Sequence, residues 1–282
     1  MITLTALAVA TAIAVRVVSL APALTEDLFA IGAGSSVVGV DAYSNRPAAA
    51  LRIPRVGSLR TVNSEAIAAL DPDLIVGIPY QAPSLRDLGR LGVRTQSLPV
   101  DTLADDFAAI ATLGRLTGHA HDAARVLATI RRRLDAAARA THALRAPRAL
   151  AVIGVTPIYT AGRGSYVDDL FAIAHLQNVA GAVHAAFPAL SAETLEADDP
   201  DVLVVPSGTV IPSEPPWSRL RAVRERRIVT IDEDDLMRPG PRVADVVDAL
   251  VRGVARYRDR AGATAKASTE PSASRRTAIG MP

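Results

Sequence analysis

The chain of 282 residues contains no cysteine. This absence excludes disulfide bonds, thiolate zinc sites, thiol nucleophiles and a lipid-modified N-terminal cysteine. Aromatic residues make up only 4% of the chain, which argues against a stacking surface for single-stranded nucleic acid. Lysine occurs only at Lys266 and the formal net charge is +2, so the charge balance does not favour a nucleic-acid partner either.

The sequence does have ample apolar material for a folded core. Hydrophobic residues account for 49% of the chain and charged residues for 21%, which is typical of a globular protein. The length predicts two domains or one large one.

The two ends of the chain differ in composition from the rest. Residues 1–14 are apolar, and Ala12-Ile13-Ala14 fits a small-x-small cleavage site, so we expect an export signal or apolar leader. No lysine or arginine precedes Arg16, so the basic region that usually opens such a signal is missing. Residues 261–282 are rich in small and polar residues and are expected to form a disordered tail.

Short β-rich runs alternate with helical periodicity along the rest of the chain, which predicts an α/β fold with parallel sheets. The stretch 119–146 has apolar residues at helical spacing and no proline, and as a helix it would span on the order of 40 Å. A second α/β unit begins after it. The sequence therefore predicts two Rossmann-like lobes, 15–118 and 147–260, joined by one long rigid helix.

An internal repeat supports the two lobes. The pattern of an acidic helical turn, an Asp-Pro-Asp break and a buried strand occurs twice with a constant offset of 128 residues. The matching positions are Glu65, Ile67, Ala69, Asp71, Pro72, Asp73, Leu74 and Val76 in the first copy, and Glu193, Leu195, Ala197, Asp199, Pro200, Asp201, Val202 and Val204 in the second.

The motifs of common enzyme classes are missing. There is no Gly-x-Ser-x-Gly elbow, phosphate-binding loop or His-Glu-x-x-His helix, and we predict neither catalytic residues nor a metal site. His175 and His184 are the histidines placed where one could ligate a bound metal centre, but a structural role is the better interpretation. The acidic run 232–235 is either a cation site or, as we expect for most of it, a solvated loop.

Three loops follow predicted strands: residues 43–47, 158–162 and 234–242. Ligands of open α/β sheets bind outside the carboxyl ends of the strands, so these loops are candidates for a binding site.

At this point the sequence resembles a known family, the class III periplasmic binding proteins of ABC importers, which serve cobalamin, haem and ferric siderophores. The resemblance covers about residues 15–257 and is closest to the members that bind cobalamin. The matching segments, in the family's order, are Arg16–Glu26, Tyr43-Ser44-Asn45-x-Pro47, Val56-Gly57, Asn63-x-Glu65, Leu70-x-Pro72-Asp73-Leu74, Tyr159–Gly162, Phe187-Pro188-x-Leu190-Ser191-x-Glu193 and Arg238-x-x-Pro241-Arg242.

The resemblance implies that the ligand lies in a shallow cleft between the lobes and that a stiff connecting helix permits only small closure. Leu59 and Ile78 stand where the cobalamin-binding members carry tryptophan, which reduces aromatic contact with a corrin ring. The implied ligand-binding residues are Tyr43, Leu59, Ile78, Phe187, Asp234 and Arg238.

Each of these assignments has a structural alternative. Tyr43 and Phe187 would instead pack on the core, and Arg238 would form a surface ion pair with Asp234 or Asp235.

The resemblance also implies a protein partner. Glu65 and Glu193 match the glutamates by which the family docks on arginines of the permease dimer, with one carboxylate on each lobe. The alternative is that each glutamate only stabilises its helix dipole.

The sequence thus leads us to expect an exported monomer with no cofactor of its own, which binds cobalamin or a related corrinoid. A ferric siderophore is the second candidate ligand and haem is the third. The alternatives from other classes are a cytoplasmic binding or sensor module and an enzyme on a two-lobed α/β scaffold.

Overall fold

A computed structural model gives the structure of residues 15–267, with burial described as far as residue 257. The predicted leader, 1–14, and the part of the predicted tail beyond residue 267 lie outside the described residues. No helix in the described part of the chain is long and apolar enough to cross a membrane.

The first lobe, as we define it, runs from residue 17 to residue 117. Its elements in chain order are β1 (Val17–Ser19), α1 (Pro22–Ala30), β2 (Val37–Val40), α2 (Ser64–Ala69), β3 (Leu74–Gly77), α3 (Ala82–Arg90), β4 (Arg94–Ser97) and α4 (Leu103–Thr117). The strands pair in the order β2-β1-β3-β4 and all are parallel. β1 and β3 are buried along their whole length and are apolar except for Ser19, as expected for central strands of a parallel sheet.

The next helix, α5 (Ala120–Thr141), stands between the two lobes in chain order. It falls within the predicted helical stretch 119–146, and its 22 residues span about 33 Å at 1.5 Å per residue. It packs on α4 at its beginning. Further along, Arg133 pairs with Asp245 and Asp248 of the last helix, at 2.6 and 2.5 Å. α5 therefore contacts both lobes.

The second lobe runs from residue 148 to the end of the described chain. Its elements are β5 (Arg148–Val155), β6 (Ile158–Thr160), α6 (Tyr166–Ile173), β7 (Gln177–Asn178), α7 (Ala192–Asp198), β8 (Val202–Pro206), α8 (Arg221–Arg224), β9 (Ile228–Ile231), α9 (Glu233–Met237) and α10 (Val243–Ala267). The parallel strands pair in the order β7-β5-β8-β9, the same topology as in the first lobe, and β6 is added as an antiparallel hairpin on β5.

Two predicted loops contain regular structure. Ile158–Thr160 forms strand β6, and Glu233–Met237 forms helix α9. Both elements are too short to show a hydrophobic period in the sequence, and proline and glycine residues, which are typical of loops, lie close to them. α10 extends to Ala267, into the segment 261–282 for which the sequence predicts a tail.

The internal repeat is visible in the backbone. α2 and β3 of the first lobe, shifted by 128 residues, coincide with the start of α7 and of β8 in the second. Between helix and strand, Asp71 and Asp199 occupy equivalent positions and both have a positive φ, 44° and 33°. Few non-glycine residues adopt that conformation, so the shared value is a specific likeness.

The strand after each break is attached in the same way. The Asp73 carboxylate accepts the backbone N–H of Arg16 at 2.8 Å, and Asp201 accepts that of Arg148 at 2.9 Å. In each case the aspartate N–H also donates to the carbonyl of the same arginine, at 2.9 and 2.8 Å. Each lobe thus anchors the start of its central strand through the final aspartate of the Asp-Pro-Asp break.

One apolar core is continuous through both lobes. It joins α1 and α4 of the first lobe, α5, and α6 and α10 of the second. Its members include Leu24, Leu28, Leu113, Leu127, Leu134, Phe171, Val247 and Leu250. Smaller clusters cover the other face of each sheet. A large apolar contact between domains limits their relative motion, so this core restrains the lobes in addition to α5.

The contact between α4 and α5 depends on a glycine. A Cβ added at Gly114 would lie 2.5 Å from the Cβ of Ala123 and 3.1 Å from the His119 carbonyl oxygen. We expect Gly114→Ala to lower the free energy of unfolding by about 1–3 kcal/mol, because overpacking exceeds the gain in helix propensity. Chemical denaturation measures this change.

Gly89 of α3 provides the matched control. A Cβ there would meet only Thr95, at an ordinary 3.5 Å. Gly89→Ala should therefore be neutral or stabilising by at most about 1 kcal/mol. Equal effects of the two substitutions would contradict the close packing at Gly114.

Candidate functional site

The carboxyl ends of the strands in both lobes meet around one cavity of about 370 Å³, which we call the cleft cavity. Segments that follow β1, β2, β3 and β4 line it from the first lobe, and the α9 region lines it from the second. The lining residues are Leu20, Ala21, Pro22, Ala23, Asp41, Tyr43, Leu59, Ile78, Val100, Glu233, Asp234, Met237, Arg238 and Pro239. This is the edge at which open α/β sheets bind ligands.

Most of the predicted ligand-binding residues lie together here. The residues of that set that line the cleft cavity are Tyr43, Leu59, Ile78, Asp234 and Arg238. Phe187 does not line it. The side chains of Tyr43 and Phe187 are 62% and 42% exposed, so the alternative that they pack on the core is wrong.

Phe187 lies instead beside strand β6. The segment around it pairs with that strand, because Thr160 N–H donates to Pro188 O at 3.1 Å and Leu190 N–H donates to Ile158 O at 2.9 Å. Tyr159 of β6 is also 42% exposed. Tyr159 and Phe187 therefore lie on neighbouring segments just beyond the carboxyl end of β5. A ligand contact by Phe187 stays a prediction.

Tyr43 is held by hydrogen bonds that fix the start of its loop. The buried carboxylate of Asp41 accepts the Tyr43 N–H at 2.9 Å and the Ser44 hydroxyl. Thr25 and Ser44 hydroxyls lie 2.8 Å apart, and Arg55 donates to the carbonyls of Asp41 and Ser44 at 3.1 and 2.7 Å. Burial raises the pKa of Asp41, while these hydrogen bonds oppose that change. Sequence reasoning missed Asp41 and Arg55.

The end of the same loop is tied to the second lobe. The Arg46 guanidinium lies 2.8 Å from Asp232 Oδ1, 3.3 Å from Asp234 Oδ2 and 3.2 Å from Asp235 Oδ1. Asp232 also caps α9 by accepting the N–H of Asp235 at 3.2 Å. The run 232–235 is therefore not the expected loop, because it starts a helix and Arg46 of the other lobe pairs with Asp232, Asp234 and Asp235; Asp232 and Glu233 are exposed, as expected.

Arginines of the second lobe bind back to the first. Arg238 lies 2.5 Å from Asp234 and 3.7 Å from Glu26, and donates to Asn45 Oδ1 at 2.6 Å. The ion pair between Arg238 and Asp234, one of the alternatives left open by the sequence, is thus present. Arg242 donates to Glu26 at 2.8 Å. We refer to the whole set as the interlobe ion cluster: Glu26, Asn45, Arg46, Asp232, Asp234, Asp235, Arg238 and Arg242.

A second cavity, of about 650 Å³, lies on the other side of this cluster, and we call it the side cavity. α1, the segment after β2 and the start of α10 enclose it. Its lining residues are Glu26, Phe29, Ala30, Asn45, Arg46, Pro47, Ala48, Leu51, Pro241 and Arg242. Nothing in the sequence pattern indicated this cavity.

Two carboxylates close to the cluster are fully buried. Asp27 of α1 and Asp106 of α4 are both 0% exposed, and within the described part of the chain none of their carboxylate oxygens has a hydrogen-bond partner. Burial raises the pKa of Asp27 well above its usual value, and the charges of Asp106 and Glu26 raise it further. Burial, followed by the charge of Glu26, raises the pKa of Asp106 to about 7.

These acids lie where the lobes meet. A Cβ on Gly240, just before α10, would be 3.6 Å from Asp27. Tyr166 of α6 donates its hydroxyl to the carbonyl of Leu236; burial, followed by the charge of Asp106, raises the pKa of that phenol. The only sequence signal for this arrangement is an aspartate on an otherwise apolar face of α1.

The two predicted docking residues occupy the same position in equivalent helices. Glu65 and Glu193 lie in the first turns of α2 and α7, and both are exposed. Asn63 and Ser191 cap these helices by accepting the N–H three residues later, at 2.9 and 3.1 Å. Hydrogen bonds from its own N–H and from Ser191 lower the pKa of Glu193, so its carboxylate is ionised.

In the part of the chain whose side chains are described, no group of three or more His, Asp or Glu residues is arranged to hold a metal ion. Apolar, aromatic and charged side chains line the cleft cavity.

Comparison with known proteins shows related sequences. A family model described as "Periplasmic binding protein" matches residues 17–234. The vitamin B12-binding protein of Vibrio cholerae is 30% identical over 245 residues, which cover 83% of this chain and 87% of that protein. An ABC transporter substrate-binding lipoprotein of Bacillus subtilis, YvrC, is 25% identical, covering 85% of this chain and 79% of its own.

A solved structure shows the same fold. A periplasmic haem-binding protein from Pseudomonas aeruginosa superposes with a TM-score of 0.74 at 30% identity, covering 85% of this chain and 91% of that one.

Proposed function

Because this chain belongs to the periplasmic binding protein family, we propose that it is the substrate-binding protein of an ABC importer and that it captures a corrinoid such as cobalamin between its two lobes. It acts outside the cytoplasm, it delivers the ligand to a permease dimer, and it performs no catalysis. The ligand is cargo rather than a resident cofactor.

The observation that carries this proposal is the cleft cavity. Both lobes line it at the carboxyl ends of their strands, and most of the residues that the resemblance assigns to the ligand lie there together. An enzyme would place a nucleophile or a general base at this edge, whereas Asp234 and Arg238 here are already joined in an ion pair.

The charges around the cavity favour a ligand without negative charge. Asp41, Glu233 and Asp234 line it with only Arg238 as a cation, and Arg238 is already paired with Asp234. A corrin periphery of neutral amides, or a ferric hydroxamate, meets no repulsion from these carboxylates. The two propionates of haem would, so haem stays third among the candidates although a haem-binding relative is 30% identical.

Membership of this family also supports export of the protein and its docking on a permease. The Bacillus relative is an ABC transporter substrate-binding lipoprotein, which supports both a permease partner and a location outside the cytoplasm. Glu65 and Glu193 are the proposed contacts with the permease.

Calorimetric titration of the purified protein with cyanocobalamin, haemin and a ferric hydroxamate tests the ligand. We expect cyanocobalamin to bind most tightly, and Tyr43→Ala to weaken its binding roughly ten-fold through loss of an aromatic contact. Tyr80→Ala is the control, because Tyr80 is equally exposed at 62% but does not line the cleft cavity. Unaltered affinity of the Tyr43 variant would remove this residue from the site, and no binding of any probe would contradict the proposed function.

A further inference from the structure

Tyr43 occupies the third position of a four-residue turn, 41–44, that directly follows β2. The Ser44 N–H closes this turn by donating to Asp41 O at 3.3 Å. The side chain of Tyr43 is 62% exposed and lines the cleft cavity. An aromatic side chain on a turn loses conformational freedom when it contacts a ligand, so its contribution to affinity depends on how firmly the turn is held.

One buried side chain holds the turn from within. Asp41 Oδ2 accepts the Tyr43 N–H at 2.9 Å, and Asp41 Oδ1 accepts the Ser44 hydroxyl. A carboxylate that accepts the N–H two residues later forms an Asx turn, which fixes the backbone locally. Asp41 is only 2% exposed, and each of its carboxylate oxygens binds a group of the turn. Its carboxylate is therefore directed at the turn rather than at a ligand.

The turn is also attached to the body of the first lobe. The Ser44 hydroxyl lies 2.8 Å from the hydroxyl of Thr25, which donates to Ser19 Oγ at 2.8 Å, and these three residues are buried. From the outside, Arg55 donates to the carbonyls at both ends of the turn, at 3.1 and 2.7 Å. Asp41 thus connects the polar network inside the lobe to the backbone of the turn.

We propose that Asp41 is a positioning residue of the ligand site: its buried carboxylate holds the turn 41–44 in one conformation before the ligand arrives, so that Tyr43 contacts the ligand at a small entropic cost. This inference rests on the proposed function. Asp41 acts through Tyr43 and makes no ligand contact of its own. Such preorganisation raises affinity without adding an interaction, because the free protein has already lost the freedom that binding would otherwise remove.

Hydrogen exchange of the ligand-free protein tests the positioning step alone. In Asp41→Ala, the protection factor of the Tyr43 amide should fall roughly ten-fold, because this amide loses its bond to a carboxylate. The neighbouring Ala42 amide donates to Gly57 O at 2.7 Å and should keep its protection, which makes it the internal control. Asp41→Asn should keep the Tyr43 amide close to the wild-type value, since an asparagine oxygen also forms an Asx turn.

Calorimetric titration with cyanocobalamin measures the consequence for binding. Asp41→Ala should weaken binding several-fold, and by no more than Tyr43→Ala does. Asp41→Asn should restore most of the affinity, because it keeps the turn while it removes the charge. In a Tyr43→Ala background, Asp41→Ala should cause no further loss, since a residue that acts only through the Tyr43 side chain has nothing left to position.

Arg55→Met loosens the same turn from the outside, and it keeps the proposal testable if Asp41→Ala fails to fold. The substitution removes both hydrogen bonds to the carbonyls of the turn. The Tyr43 protection factor and the affinity for cyanocobalamin should both fall, as they do in Asp41→Ala.

Asp201→Ala is the matched control. Asp201 is another buried aspartate, 7% exposed, and it accepts the backbone N–H of Arg148 at 2.9 Å. It directly precedes β8, at the amino ends of the strands, whereas the cleft cavity lies at their carboxyl ends. This variant should lose stability but keep the wild-type affinity and the wild-type protection of Tyr43.

An unchanged Tyr43 protection factor in Asp41→Ala and Arg55→Met would overturn the proposal. Additive losses of affinity in the double variant, or an Asp41→Asn protein that binds as weakly as Asp41→Ala, would also overturn it, because the carboxylate would then contact the ligand itself. A wild type that binds neither cyanocobalamin, haemin nor a ferric hydroxamate, while the exchange difference persists, would contradict the proposed function instead. The two failures are therefore distinguishable.

Discussion

Replacing Glu65 and Glu193 together by arginine is expected to abolish uptake of the ligand by cells while leaving the ligand affinity of the purified protein nearly unchanged. Both carboxylates are exposed at the same point of equivalent helices, and neither lines the cleft cavity. If they meet arginines of the permease, as the resemblance implies, the double variant places like charges against each other, which costs several kcal/mol. Radiolabelled cyanocobalamin uptake and calorimetric titration measure the two quantities.

The control for this variant changes the charge by the same amount at other exposed acids, Asp87→Arg together with Glu225→Arg. These acids pair only with neighbouring arginines of their own lobe. Uptake should persist in that protein. If both double variants lose uptake equally, or if the glutamate variant also loses affinity for ligand, Glu65 and Glu193 have no specific docking role.

Asp106→Asn is expected to stabilise the protein at pH 8 by about 2–4 kcal/mol and to make its stability fall less steeply between pH 4 and pH 7, where the raised pKa of Asp27 still contributes. The folded protein holds the pKa of Asp106 at about 7, whereas in the unfolded chain an aspartate has its ordinary pKa of 3.8. In that interval the folded state binds the extra proton, so the free energy of unfolding falls as pH rises, by about 1.4 kcal/mol for each pH unit of difference. Below about pH 4 the contribution of Asp106 to the free energy of unfolding is fully present. The unpartnered amide reduces the gain from the substitution.

Urea denaturation at a series of pH values checks this result. Asp135→Asn is the control, because Asp135 is an exposed aspartate of α5. The control should follow the wild-type profile. A wild type whose stability is independent of pH between 4 and 7, or an Asp106 variant with the same slope, would show that this carboxyl is not held protonated by the fold.

Local sequence patterns predicted much of the fold. The long helix α5 lies within the predicted stretch 119–146, because apolar residues at helical spacing are a short-range signal. The repeat with its 128-residue offset was equally readable, since both copies use the same aspartates to turn the chain and anchor the strand.

The position of the loops 43–47 and 234–242 after strands predicted two parts of the site, and the family resemblance named individual residues, but neither predicted the contacts between them. The contact between Arg46 and Asp234 joins positions 188 residues apart, and no periodicity indicates such a pair. The acidic run 232–235 has the composition of a solvated loop. Only the structure shows that Arg46 of the other lobe pairs with three of its carboxylates. The buried acids Asp27 and Asp106 are similar, because an aspartate on the apolar face of one helix does not show that the aspartate of another helix lies close to it.

The continuous core also determines how the protein unfolds. Leu24, Leu127 and Val247 come from the beginning, middle and end of the described chain, yet they belong to the same apolar cluster. A fragment carrying either sheet alone would expose its share of that cluster to solvent. The two lobes are thus separate as layers of hydrogen-bonded strands but not as autonomous folding units, and heat or denaturant should dismantle them in a single cooperative transition.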